Sequence, residues 1–171
     1  MTTAEILLQD FDIEVSNTRR TLERVPETPG YAPHEKSMKL GKLAMHCATI
    51  LLFGYYILED EGMDLADPNP KRQHADLTFT TREAALTTLD DSAAKCRAAL
   101  AAASDADLEK PWKFSFGEHL ISHNPRSMAF RTMCFDHMIH HVAQLGVYLR
   151  LNDIPVPALY GPSADEQWSP R

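Results

Sequence analysis

The sequence predicts an all-α protein, a four-helix bundle with a long non-helical connection before the last helix and a proline-rich C-terminal tail. Apolar residues recur at spacings of three and four in four long segments, which is the period of a helix with one buried face. Clusters of proline and glycine end these segments. At 171 residues with 44% hydrophobic side chains, the chain is the right size for one core. We therefore expect a single domain over residues 1–171.

The first two helices are predicted over about 3–25 and about 37–60. In the first, Leu7, Phe11 and Val15 begin an apolar stripe that ends at Pro26. In the second, Leu40 and Leu43 begin a longer stripe, which stops at the segment EDEGMDLADPNPK. That segment contains glycine and two prolines, so we interpret it as a loop.

A third helix begins after Thr81, and the last helix is expected from about Ser127 to about Leu151. The connection between them contains LEKPWKFSFGEHLISHNP, whose alternating aromatic residues indicate a non-helical crossing or a short hairpin. The C-terminal segment NDIPVPALYGPSADEQWSPR has four prolines and cannot be helical. We expect it to be an extended tail, laid over the domain or partly mobile.

Composition excludes several classes of function. The formal net charge of −7 and the lack of a large Lys/Arg cluster argue against nucleic-acid binding. The longest apolar run, CATILLFGYYIL, is shorter than a membrane span, so we expect a buried helix and no membrane association. The first twenty residues do not resemble a secretory signal, which favours the cytoplasm. Three widely spaced cysteines indicate reduced thiols in the core.

The stretch FDHMIHHVAQLGVYLR places three histidines on a helix that is otherwise largely apolar. His137 and His141 are four residues apart, so both rings project from the same side about one turn apart. They share a stripe with Phe130, Cys134 and Gln144, which points them into the bundle, where an unpaired polar ring costs free energy. Two imidazoles so placed can share a metal ion. His140 lies to the other side of His137 and need not reach the same ion.

His46 on the second helix is the candidate third ligand. It lies three residues after Leu43 and four before Ile50, on or beside the buried face. Alone, it is also consistent with a core histidine hydrogen-bonded to a backbone or hydroxyl group. Together with the pair on the last helix it gives three nitrogens, the usual minimum for a catalytic metal with one position open to a small-molecule substrate. Bundles hold metal sites in this way, with side chains from facing helices.

Other candidate ligands are less favourable. His119 and His123 are also four apart, but in an extended segment that spacing separates them by about 13 Å. Cys134 lies one turn before His137 and is a thiolate ligand or, more often for such a residue, a small core residue. Cys47 is rotated away from His46. The remaining histidines are expected in solvated loops and are His34 and His74.

Two segments carry a resemblance to a known family. KSMKLGKLAMHCATI and HMIHHVAQLGVYLRLNDIPVPALYG resemble the DinB/YfiT-like superfamily of four-helix metalloproteins. In that family an inward histidine on the second helix joins an H-x3-H pair on the last, whose second histidine opens a His-Arg-Gly-Gln motif. His46, His137 and His141 match the triad, and Gln144 matches the glutamine. Val142-Ala143 stands in place of Arg-Gly, so any role of that arginine is absent here.

The resemblance implies a bundle that binds one divalent metal ion, zinc or nickel with iron as a further candidate, and that forms a homodimer. It favours thiol S-transfer, in which a low-molecular-weight thiol is activated by the metal and attacks an electrophile, and leaves hydrolysis by a metal hydroxide as an alternative. Gln144 would hydrogen-bond a ligand or orient His141 or His140, and both Gln144 and His140 would support the metal ligands or contact the substrate. Because no nucleophile or general-base carboxylate stands out near the triad, a non-catalytic bundle that binds metal or sequesters a ligand is the alternative.

Overall fold

The computed structural model of the chain describes residues 1–68, 70–72 and 75–167. The protein is mostly helical, as predicted. Its helices are α1 (Thr3–Leu22), α2 (Leu40–Glu59), α3 (Arg82–Ala102), the short α4 (Asp105–Leu108), α5 (Arg126–Phe130) and α6 (His137–Arg150). A π-helical turn, Arg131–Asp136, joins α5 to α6, and we call the continuous run from Arg126 to Arg150 the last helix.

Four long helices surround the core. α3 and the last helix each pack against both α1 and α2, whereas α1 and α2 lie diagonally and barely touch. The side chains that meet at the centre are fully buried and include Phe11, Leu43, Leu89 and Phe130. Each such side chain contributes about 1.5–3 kcal/mol by leaving water. The bundle is thus confirmed as the main architecture.

Helix α2 lies at the middle of this core. By length and composition it is apolar enough to cross a membrane, but 67% of its most apolar window is buried inside the protein. That burial is typical of a core helix. α1 begins at a capping box, in which Thr2 accepts from the backbone of Glu5 and the Glu5 carboxylate accepts from the backbone of Thr2. α3 begins at Thr81, the predicted cap, whose side chain accepts from the Ala84 backbone N–H.

A small three-stranded sheet makes the all-α prediction wrong in one respect. The strands β1 (Gly62–Asp64), β2 (Pro111–Phe116) and β3 (His119–Pro125) lie in the order β1-β2-β3. β1 runs parallel to β2 and lies in the segment that we interpreted as a loop. Three residues are too few to show the alternation of a strand, so only the contact with β2 defines it. The glycine at its start is required, because a Cβ on Gly62 would lie 2.6 Å from the Lys113 carbonyl oxygen.

The connection before the last helix contains a short hairpin, one of the two structures that its alternating aromatic residues predicted. β2 and β3 pair antiparallel, with an irregularity between Phe114 and Ser115. Trp112 and Phe114 face inward and meet the ring of Phe53 on α2, with ring centroids 5.9 and 5.6 Å from it. Gly117 turns the chain with a φ of 57°, which glycine adopts at little cost.

The last helix contains a π-helical turn, Arg131–Asp136. A π turn holds about one residue more than an α turn, and one residue corresponds to about 100° of rotation. Phe130, just before the turn, and Cys134, within it, pack against α2 at Gly54, where an added Cβ would lie 2.7 Å from the Cys134 sulfur. After the turn, His137 lies toward His46. Phe130, Cys134 and His137 therefore all contact α2, at two places along its length.

The C-terminal tail is extended and lies over the domain through residue 167. Ala158 is buried, and the Tyr160 hydroxyl donates to the Glu14 carboxylate on α1. Glu166 also forms ion pairs, to Arg20 on α1 and to Arg24 just after it. The tail is thus held to α1 by several polar contacts, which agrees with the prediction of a tail laid over the domain.

Candidate metal centre

The structure brings the three predicted histidines together. His46 comes from the middle of α2, and His137 and His141 come from the first two turns of α6. One ring nitrogen from each lies within 4.8 Å of the other two, and all three residues are half-buried. The Nε2 atoms of His46 and His137 are 3.3 Å apart. The His46 ring centroid lies 4.5 Å from that of His141.

The environment holds these rings in their neutral form. Burial lowers the pKa of His46 to about 4, and the neighbouring rings of His141 and His137 add to the effect. Burial also lowers the pKa of His137 and of His141. At neutral pH each ring therefore keeps a free lone pair, which is the form that binds a metal.

Gln144 orients one of the three rings. Its side-chain Oε1 accepts a hydrogen bond from Nδ1 of His141 at 2.8 Å. With Nδ1 carrying the proton, Nε2 of His141 is the nitrogen with a free lone pair. Gln144 itself is exposed, although its position on the predicted stripe pointed inward. His140 is also exposed; its ring lies 4.8 Å from that of His141 but outside the three-nitrogen cluster.

The arrangement fits a divalent metal. Two nitrogens at about 2.0–2.1 Å from a tetrahedral zinc ion lie about 3.3–3.4 Å from each other. The Nε2 atoms of His46 and His137 match this spacing. Nδ1 of His137 is buried and makes no hydrogen bond of normal geometry with the described residues. Burial lowers the pKa of His137, and the backbone of Met133 offsets part of that decrease. A ring held with Nδ1 toward a carbonyl presents Nε2 to a metal.

The other sequence candidates do not join the cluster. Cys134 is fully buried against Cys96 and Gly54, which leaves it as a core residue. Cys47 is buried as well, and all three cysteines are free thiols, as expected. His119 and His123 are exposed on strand β3, so the extended geometry that separates them is confirmed. Of the two loop histidines, His34 is exposed and His74 lies outside the described residues.

With this geometry established, comparisons with known proteins become informative. A sequence profile described as the DinB superfamily matches residues 10–145. The chain belongs to the DinB superfamily. Among curated proteins, none matches the chain significantly.

Two crystal structures share the DinB fold of this chain. One is a DinB-like protein from Bacillus cereus ATCC 10987, with a TM-score of 0.63, 19% sequence identity and coverage of 90% of this chain and 95% of that one. The other is the DinB-like protein YjoA from Bacillus subtilis, with a TM-score of 0.63, 20% identity and coverage of 94% and 98%. At this level of identity, the likeness concerns the fold.

A cavity of about 220 Å³ adjoins the triad in this DinB bundle. His46 and His137 form part of its wall, and most of the remaining lining is apolar. The sequence prediction did not include the lining residues, which come from α2, β1 and the chain between β1 and α3 and include Phe53, Tyr56, Met63, Arg72 and Leu77. The available signal was on α2, which carries apolar residues on more sides than a single buried face requires.

Proposed function

We propose that this DinB protein binds one divalent metal ion and uses it for thiol S-transfer to an electrophilic small molecule. The observation that carries the proposal is the convergence of three neutral imidazoles within 4.8 Å of one another at the wall of an apolar cavity. Without a shared ligand, three such rings would each leave a polar nitrogen half-buried, at a cost in free energy.

His46, His137 and His141 are the proposed metal ligands. Three imidazole nitrogens suit zinc, nickel or iron and leave a coordination position open. Gln144 fixes the proton of His141 on Nδ1 and so keeps Nε2 available. His140, being exposed and outside the cluster, is assigned no ligand role.

The proposed reaction needs a thiol near the metal site and an apolar surface that excludes water. His46, His137 and His141 would hold the cation, whose charge would lower the pKa of a nearby thiol so that the thiolate is available near neutral pH. The thiol proton passes to solvent, and the sulfur forms a bond to the electrophilic carbon while the leaving group departs with its bonding pair. The apolar lining around Phe53 and Ile50 holds the electrophile and excludes water.

A non-catalytic metal-binding or ligand-sequestering protein is the second candidate. It is favoured by the composition of the cluster, which among the described residues contains histidines and no carboxylate or thiol. Hydrolysis by a metal hydroxide is less favoured, because Asp64 in the cavity wall is a poor base. Its carboxylate accepts from the backbone N–H groups of Ala66 and Gly117, which lower its pKa.

Metal analysis of protein purified without a histidine tag or added metal tests the site. We expect about one equivalent of zinc, nickel or iron per chain. His46→Ala, His137→Ala and His141→Ala should each lose it. His140→Ala and His123→Ala are matched controls, since both residues are exposed histidines outside the cluster, and they should retain it. Absence of metal from the wild type after incubation with each ion would overturn the proposal.

Metal-loaded protein then separates the two candidates. Glutathione, coenzyme A and dithiothreitol would each be offered with chlorodinitrobenzene, and thioether formation and chloride release would be followed. Acceleration that needs both the metal and His137 supports the transferase. A protein that holds one metal ion but accelerates none of these reactions is the sequestering or metal-binding bundle.

A further inference from the structure

The cavity beside the triad is elongated along one face of α2. Its α2 wall is formed by His46, Ile50, Phe53 and Tyr56, which succeed one another at spacings of three and four. Ten residues of α-helix separate the first from the last, a rise of about 15 Å. Two residues of the triad, His46 and His137, line the cavity at one end of this wall, and Tyr56 lies at the other end.

The roof of the cavity is fixed to the bundle. It is formed by described residues between 63 and 77, among them the apolar Met63, Leu65 and Leu77. β1 ties its beginning to β2. Farther along, ion pairs from Lys71 and Arg72 to the buried Asp60 hold it to the end of α2. The cavity is therefore largely formed before a ligand arrives, so an occupant need not order this roof.

Charge at the far end disfavours an anion. The guanidinium of Arg72 lies 5.1 Å from the ring centroid of Tyr56, and both Arg72 and Lys71 pair with the carboxylate of Asp60. Asp64 and Asp67 add carboxylates to the same end of the lining. The whole chain is also negative, at −7. At this end, and with no metal at the triad, an anionic ligand would meet three carboxylates and only two cations among the described residues.

We propose that the cavity selects an uncharged, apolar occupant, an aryl or short alkyl body whose reactive carbon lies at the triad and whose far end lies beside Tyr56. That this occupant is the electrophile rests on the proposed function, whereas its apolar, uncharged character rests on the cavity. Apolar walls with a few polar groups at the ends are the usual form of a small-molecule site. The occupant contacts Phe53 and Ile50 from α2 and Leu77 from the roof.

A pair of fluorescent probes with the same rings tests this inference. N-phenylnaphthylamine is neutral, and anilinonaphthalenesulfonate carries an added sulfonate. In chelator-treated, metal-free protein we expect the neutral probe to bind, and the anionic probe to bind at least about tenfold more weakly, because its charge must be desolvated beside carboxylates. Equal or tighter binding of the anionic probe would overturn the proposal, and so would a lack of binding of the neutral one.

Matched variants locate the probe. Leu77→Glu puts a carboxylate into the half-buried wall and should weaken the neutral probe at least about tenfold. Leu120→Glu is the control, because Leu120 is an exposed leucine on β3 outside the cavity. If circular dichroism shows that Leu77→Glu does not fold, Ala75→Trp, which narrows the same wall, replaces it, with Ala101→Trp on α3 as its control. Unchanged probe affinity in the folded wall variant would place the probe elsewhere and refute the proposal.

The titrations are run with metal-loaded and with chelator-treated protein. Neutral-probe binding to a protein that takes up no metal would leave the cavity inference standing and remove the proposed function. A protein that binds one metal ion but fails to bind the neutral probe would do the reverse. The two failures are therefore distinguishable.

Discussion

Replacement of Gln144 by alanine should weaken metal binding without weakening the fold. The variant removes one hydrogen bond, the 2.8 Å contact from Nδ1 of His141 to Oε1. The ring of His141 then loses its fixed proton position and its fixed orientation. Because Gln144 is exposed and its side chain contributes no core packing, the free energy of unfolding of the metal-free protein should change by less than about 0.5 kcal/mol.

The size of the effect follows from that single contact. A neutral hydrogen bond contributes about 0.5–1.5 kcal/mol net, and about 1.4 kcal/mol corresponds to a tenfold change in affinity. Loss of a ligand's outer partner costs about 10–100-fold in other metal sites. Solvent can replace this exposed partner in part, so we expect a loss of about 3–10-fold for Gln144→Ala. Gln144→Glu keeps an acceptor at the same place and should retain wild-type affinity or exceed it.

Competition with a fluorescent chelator, for zinc and for nickel, measures these affinities. His140→Ala is the control, since it alters the same solvent-facing surface without touching the cluster. Wild-type affinity in Gln144→Ala would refute the reasoning. An equal loss in Gln144→Ala and Gln144→Glu would also refute it, because the effect would then not depend on the hydrogen-bond acceptor.

Four further predictions concern the whole protein. In urea denaturation, Gly54→Ala should be less stable than Gly146→Ala by about 1–3 kcal/mol. Both variants gain helix propensity, but only the new Cβ at position 54 crowds sulfur atoms. Its nearest contact would be 2.7 Å away, against 3.7 Å at position 146. The Ala158 backbone N–H, with Arg24 and Arg20, lowers the pKa of Glu166. The ionised Glu166 therefore stabilises the fold above about pH 4.3, the ordinary glutamate pKa, and this contribution disappears as pH falls through the lowered pKa. In Glu166→Gln the free energy of unfolding should depend less steeply on pH in this acid range. Burial raises the pKa of Cys47 to about 12, so a thiol reagent should modify none of the three cysteines in the folded protein and all three in urea. The expected homodimer should sediment at twice the mass of the chain.

Each of these has a clear contrary result. Equal stability of the two glycine variants would mean that the contact at Gly54 is not crowded. An unchanged acid dependence of the free energy of unfolding in Glu166→Gln would assign the acid sensitivity to other carboxylates. Rapid modification of a cysteine in the folded protein would contradict its burial, and a monomer at all concentrations would contradict the dimer.

The histidine triad was predictable because the sequence features that indicate it lie close together within single helices. A spacing of four places His137 and His141 on one face of any helix, and the apolar sequence around His46 indicates burial wherever the helix packs. What Gln144 contacts was left open among several partners, since the choice depends on a side-chain rotamer. The structure resolves it in favour of His141.

The parts that were missed depend on distant residues. β1 is a strand only because it pairs with β2, which lies about fifty residues later in the chain. The cavity needs α2, the roof and the ion pairs of Asp60 together, so no single segment indicates it. The π turn has no recognised sequence signal, which is why the last helix was predicted as one uniform stripe.

The π turn also bears on how this chain is aligned with its relatives. Because it holds about one residue more than an α-helix would over the same length, it behaves as an accommodated insertion. Removing one residue from Arg131–Asp136 would restore an ordinary α-helix and leave the facing of both flanking halves unchanged. The same deletion between His137 and His141 would rotate one ligand by about 100° away from the other. A relative with a one-residue gap in this turn therefore keeps its histidine pair aimed at α2, and an alignment that moves the gap into the pair would hide a shared site.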